Sequence, residues 1–212
     1  MDDGSESVET SKQLLNILKS EGVKLVCLTS HFYPQRESFS EFIKRRNEAY
    51  KKLNYSDLDL RLGAEVRYYR GLSTSEELSS MCIEGTNIIL IELPFNIDIN
   101  DNVISELINI NSKGYKVLLA HIERYNLNEK VLVKLHKHGI LIQVNTEFFE
   151  GFFNSRKALW LLKKGLIDCI GSDTHNLDKR KPNYEKTMNL IKKRLGEKFY
   201  KEFIDRTYRI IG

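Results

Sequence analysis

The chain lacks any apolar run long enough to cross a membrane. Its longest, such as 87–93 and 116–120, fall far short of the roughly 20 residues a spanning helix needs, which predicts no membrane insertion. The opening Met1-Asp2-Asp3-Gly4-Ser5 has neither the basic start nor the apolar stretch of a secretory signal, so cytoplasmic residence is the expectation. Only three prolines, with 41% hydrophobic and 29% charged residues, exclude the compositions of disordered and fibrous chains. Cysteine is scarce, odd in number and widely spaced, so no disulfide framework is expected. Cys27 and Cys169 sit inside apolar runs and read as reduced core residues. The net charge of +4 is spread as interleaved Lys and Glu. Short basic clusters such as Lys44-Arg45-Arg46 and Lys179-Arg180-Lys181 carry no interleaved aromatics, so no nucleic-acid partner is expected. Three reaction motifs are also missing. No phosphate-cradling Gly-Lys-Ser/Thr loop and no Gly-x-Ser-x-Gly elbow occurs. A thiol-nucleophile phosphatase needs Arg six positions after its Cys, where this chain has Tyr33, Ile88 and His175.

What is present is a regular alternation. At 212 residues the chain suits one domain, 1–212, with a single sizeable core. Helical periodicity at Leu14, Leu15, Ile17 and Leu18 ends at Gly22 and gives way to an apolar strand over 23–28. The cycle repeats as a helix near 39–53, a strand near 58–66, a short helix near 76–81 and a strand at 88–93. It continues with a helix at 103–113 and strand at 116–120, a helix at 129–138 and strand at 140–144, and a helix at 156–164 and strand at 167–171. Two helices from about Tyr184 and Lys198 close the chain. Continuously apolar strands alternating with amphipathic helices imply a parallel α/β sheet, wound open or closed into a barrel.

The polar residues gather where those strands end: Thr29-Ser30-His31, Gly63-Ala64-Glu65, Glu92-Leu93-Pro94, His121-Ile122-Glu123-Arg124, Asn145, and Gly171-Ser172-Asp173-Thr174-His175. In parallel α/β folds these ends share one face, and that face carries the chemistry. Imidazole and carboxylate together suit Zn, Mn or Fe, and two such ions a few Å apart activate water and clamp a phosphoryl group. Asp173 and His175, two apart on an extended segment, point the same way. His136 and His138 fall near the end of a predicted helix, where capping is the expected role. Arg124 and Arg180 are the phosphate-binding candidates, since a guanidinium fork matches phosphate oxygens, with a surface ion pair as the alternative.

These segments, from Asp2-Asp3-Gly4 through Leu90-Ile91-Glu92-Leu93-Pro94-Phe95 and Ala120-His121-Ile122-Glu123-Arg124-Tyr125 to Gln143-Val144-Asn145 and Ser172-Asp173-Thr174-His175-Asn176, resemble the PHP-type (polymerase and histidinol phosphatase) bacterial tyrosine phosphatases of capsule and exopolysaccharide gene clusters. The resemblance covers essentially the whole chain. It implies a distorted (β/α)7-type TIM-like barrel and hydrolysis of phosphotyrosine on the tail of a partner tyrosine kinase by metal-activated water. Carried over by position, Glu65, Glu92 and His121 would hold one ion, Glu65 bridging to a second shared with Asp173. Asp3, His31 and His175 would hold a third, and Arg124 and Arg180 would contact phosphate. Manganese is the expected metal, with iron or zinc as alternatives. The family opens with a strand ending in His-x-His before the Asp-Asp-Gly. Here Met1 stands directly before Asp2, so the first strand is expected to be missing through a start assigned too far downstream or a true truncation, with fewer than the family's three ions bound. Competing expectations are a small-molecule phosphatase of the histidinol-phosphate type and a catalytically weak kinase-binding protein. Whether the chain forms a homo-oligomer stays open.

Overall fold

The computed structural model describes residues 4–95, 97, 99–125 and 128–212. Asp3, one of the expected ligands, lies outside the described residues. Helix α1 (Val8–Ser20) leads to strand β1 (Leu25–Phe32), α2 (Phe39–Leu53) to β2 (Asp59–Arg67), and two short 3-10 turns, Leu72–Thr74 and Leu78–Met81, to β3 (Ile88–Glu92). Then come α3 (Asp101–Ser112), β4 (Lys116–Leu119), α4 (Glu129–Lys137), β5 (Leu141–Asn145), α5 (Phe152–Lys163) and β6 (Cys169–Gly171), followed by α6 (Tyr184–Leu195) and α7 (Glu197–Ile211). The starts of α1 to α4 are set by side-chain caps. Ser7 accepts from the Thr10 N–H, Asn100 from the N–H groups of Asn102 and Val103, and Ser38 forms a capping box with Glu41. None of these helices is long and apolar enough to cross a membrane.

Six parallel strands form one sheet in chain order, β1 to β6. Flat, such a sheet would set its edge strands about 24 Å apart, from five gaps of roughly 4.8 Å. Instead the ring of His31, on β1, lies 5.9 Å from that of His175, just past β6. The sheet is therefore curled into a half-barrel, as continued right-handed twist directs.

The strand period of two then sorts every side chain. Outward residues, among them Phe32, Ala64, Val66, Ile89, Ile91, Val117, Leu119, Ile142, Val144 and Ile170, pack with the helices into the main core. Inward residues Ile88, Leu90, Leu118, Ala120 and Cys169 form a smaller cluster inside the curl, with Cys27 against it. Counting on by twos puts His31, Glu65, Glu92, Gln143 and Asn145 on the inward face at the carboxyl ends. Beside these residues opens a cavity of about 840 Å³, whose apolar part is lined by Leu14, Leu28, Leu90 and Cys169.

Several expectations shift. His31 lies within β1 and not beyond it, because that strand continues past the expected 23–28, whereas Glu65 and Glu92 sit toward the ends of β2 and β3 within the expected bounds. The link expected as a short helix over 76–81 is 3-10, and α5 begins at Phe152, ahead of the expected 156. Cys82 and Cys169 are buried, while Cys27 is half-buried. His138 is the cap residue of α4, but His136 places Nε2 2.9 Å from Asp168 Oδ2 instead of capping.

One buried charge joins α2 to the sheet. Arg46, 9% exposed, donates from Nη1 to the carbonyls of Gly63 (3.0 Å) and Ser80 (3.3 Å). Arg46→Ala leaves both carbonyls without this donor, so it should destabilise by about 2–4 kcal/mol. Replacing exposed Lys44 should change stability by less than about 0.5 kcal/mol. Urea unfolding of both variants checks the contrast, and equal midpoints would contradict it.

Candidate metal centre

At the inward carboxyl ends, ligand atoms of His31, Glu65 and Glu92 lie within 4.8 Å of one another. His121 completes the group: its Nε2 is 2.9 Å from Glu65 Oε1 and 3.5 Å from Glu92 Oε1. His31 Nδ1 is 3.7 Å from the same Glu65 oxygen. Glu65, Glu92 and His121 are all buried, at 7%, 5% and 2% exposure. Two buried carboxylates facing imidazoles form a nitrogen and oxygen donor set that fits a divalent transition metal.

His121 follows β4, where simple alternation would turn its side chain outward. A left-handed backbone, φ 34°, turns it in. Asp173 has the same unusual conformation, φ 47°, at the corresponding place after β6. Non-glycine residues persist there only where surrounding contacts fix them, and such strain gathers at functional sites. The fixing contacts are a chain of buried amides. The His121 N–H donates to Gln143 Oε1 (2.5 Å), Gln143 Nε2 to Asn145 Oδ1 (2.8 Å), and Asn145 Nδ2 to Asp173 Oδ2 (2.9 Å). Gly171 makes room for this chain, since a Cβ there would sit 2.5 Å from Gln143 Nε2.

Asp173 also accepts from Arg124 Nη2 and Arg180 Nη2, each at 2.5 Å to Oδ2. Burial alone would raise the Asp173 carboxyl, but the two guanidiniums outweigh it and hold it below the usual range. Both arginines are about a quarter exposed, at 27% of their side chains. His175 Nδ1 is 2.9 Å from the Asp173 carbonyl, which only accepts, so Nδ1 donates and Nε2 is left as the lone-pair nitrogen.

The arrangement differs in detail from the expected ligand sets. His31 groups with Glu65 and Glu92 and not only with His175, since the register pairs His31 directly with Glu65 across β1 and β2. Asp173 is turned to Arg124 and Arg180, the attraction expected of a partly buried carboxylate beside two cations. Arg67 had no expected role, yet its Nη1 donates to Glu92 Oε2 at 2.8 Å. Its position two after Glu65 puts it on the same inward face, and that parity was the available signal. Gln143 and Asn145 share that parity with each other, but an amide carries no mark of what it will bond.

Fold and site together define a curled parallel α/β protein with a metal-type donor cluster at the carboxyl ends of its strands. The chain belongs to the capsular polysaccharide synthesis family CpsB/CapC, whose sequence model matches residues 1–211. It is 31% identical over 229 residues to the tyrosine-protein phosphatase CpsB of Streptococcus pneumoniae, covering 100% of this chain and 93% of that one. It is 27% identical over 230 residues to the protein of the same name from Streptococcus agalactiae serotype V, with the same coverage. Among solved structures it superposes with a TM-score of 0.85 at 21% identity, over 100% of this chain and 90% of the other, on a structure from work on YwqE of Bacillus subtilis and CpsB of Streptococcus pneumoniae, described as unique metal-dependent tyrosine phosphatases.

Beside the cluster, burial pushes the Glu123 carboxyl up to about 7, although its Oε1 accepts the Asn145 N–H and both His121 and Arg124 pull it down. Below about pH 4.5 it is protonated in folded and unfolded chains alike. As pH rises towards 7 the unfolded chain ionises first, and the folded state loses up to about 3 kcal/mol. Glu123→Gln cannot ionise, so in metal-free protein its melting temperature should rise relative to the native chain between pH 4.5 and pH 8. A difference constant with pH would contradict this.

Proposed function

We propose that this chain is a metal-dependent protein-tyrosine phosphatase built as one PHP-type domain with a TIM-like barrel design. The observation that carries the reading is the buried cluster of His31, Glu65, Glu92 and His121, beside a cavity also lined by Asp173, which Arg124 and Arg180 both grip. The names of the CpsB relatives support the substrate class, and the family's link to capsular polysaccharide synthesis supports a tyrosine kinase of that pathway as the phosphotyrosine-bearing partner.

His31, Glu65, Glu92 and His121 would hold the metal, with Asp173 and His175 on the facing wall and Asp3 added from the family pattern. When bound, divalent manganese, iron or zinc neutralises phosphate charge and lowers the pKa of water to the neutral range. Arg67, bonded to Glu92 Oε2, holds that carboxylate so that its other oxygen faces His121. The amide chain from Gln143 to Asn145 holds His121 and Asp173 in place. Arg124 and Arg180 would take phosphate oxygens in exchange for the Asp173 oxygen they share, bracing charge as it moves to the leaving phenolate oxygen. The thiols have no part. Burial pushes Cys27 and Cys82 up to about 11 and Cys169 further still, so none is a thiolate at neutral pH.

Hydrolysis of a phosphotyrosine peptide, p-nitrophenyl phosphate and histidinol phosphate, with and without Mn²⁺, tests the reading. The phosphotyrosine peptide should be the best substrate and no turnover should survive chelation, whereas iodoacetamide at pH 7.5 should spare most of it. Preference for histidinol phosphate would move the assignment to small-molecule hydrolysis, and loss of activity on alkylation alone would overturn the metal mechanism.

Arg124→Ala and Arg180→Ala should each lower kcat/KM about tenfold to a thousandfold, as expected when one or two charge-assisted phosphate contacts are lost. Unchanged kinetics would reduce both to partners of Asp173.

A further inference from the structure

The described exposed aromatics fall in three places. Phe152, Phe153 and Trp160 lie on α5 and Tyr208 on α7, both away from the donor cluster in sequence, whereas Phe95, 57% exposed, stands three residues beyond Glu92. The position of Phe95 is fixed by what precedes it. Leu93 is fully buried, and Tyr125 Oη both accepts its N–H (3.0 Å) and donates to its carbonyl (2.9 Å). Pro94 follows, with its φ locked and no N–H to satisfy. The ring of Phe95 is thereby set 5.7 Å from the Arg67 guanidinium carbon, and that guanidinium is bonded to Glu92. A large apolar ring is thus held one guanidinium away from the donor cluster, with its free surface uncovered.

Resting on the phosphatase reading, we infer that Phe95, backed by Arg67, is the wall that takes the aryl ring of the substrate and so sets preference for aryl over alkyl phosphates. A phosphotyrosyl phosphate bound at the donor cluster carries its ring outward by one oxygen, to the depth of a side chain one guanidinium from Glu92. Aromatic rings attract one another edge-to-face or offset, and the Arg67 cation adds to that pull on any π face. An alkyl phosphate has no ring to place there and gains nothing from the wall.

Non-hydrolysable probes separate this inference from catalysis. Calorimetric titration of the manganese-loaded protein with phenylphosphonate and methylphosphonate should show the aryl ligand bound about tenfold more tightly, the scale of one aromatic contact. Phe95→Ala should erase the difference, leave methylphosphonate affinity within about twofold and keep the metal content by elemental analysis. Phe95→Tyr should restore the preference. No preference in the native protein, or a preference surviving Phe95→Ala, overturns the inference while leaving the phosphatase reading intact. Failure of the native protein to bind either phosphonate overturns both.

Discussion

Two carboxylates buried side by side among imidazoles are the constraint around which the rest of the chain is arranged. Glu65 and Glu92 are almost out of water, and removing an ionised carboxylate from water costs several kcal/mol unless positive charge replaces the solvent. For Glu92 part of that charge comes from Arg67. For Glu65 the near neighbours are the His31 and His121 rings, which suit a shared cation better than they replace one. A core with no functional demand would place leucines here, as β3 does two residues before Glu92 at Leu90 and the neighbouring β4 does at its register partner Leu118.

The curl of the sheet is what brings these groups together. Parallel pairing in strict order puts every strand's carboxyl end on one rim, and the period of two points alternate side chains inward at that rim. Where alternation alone would miss, at His121, the backbone enters the left-handed region, as it does again at Asp173, and the Gln143–Asn145 amide chain holds both in place. The strain is local, while the contacts that maintain it are buried and spread over β5. Precision at the site therefore depends on a strand that contributes no expected ligand.

Much of this was legible in the sequence. The alternation of apolar runs with amphipathic helices announced a parallel sheet, and strand-end His, Glu and Asp announced a donor cluster, because both follow from periodicity and residue chemistry. The degree of curl was not legible, since twist accumulates over all six strands and no single segment encodes it. Nor was the pairing of His31 with Glu65, which depends on the β1 and β2 register. Arg124 and Arg180 were readable as anion-binding residues, but their shared grip on Asp173 depends on loops meeting across the rim. Arg67 was within reach by parity from Glu65, whereas the roles of Gln143 and Asn145 appear only once His121 and Asp173 are placed in space.

The chain thus joins a family assignment to a physical reason for its site: buried negative charge that calls for a cation, at the one rim where six strands end. The most direct measurement is anomalous diffraction from crystals soaked in Mn²⁺. A manganese peak within bonding distance of His31, Glu65, Glu92 and His121 is the predicted result, lost in Glu65→Gln. Manganese absent from that cluster, or bound only at surface carboxylates, would contradict the metal centre and the chemistry built on it.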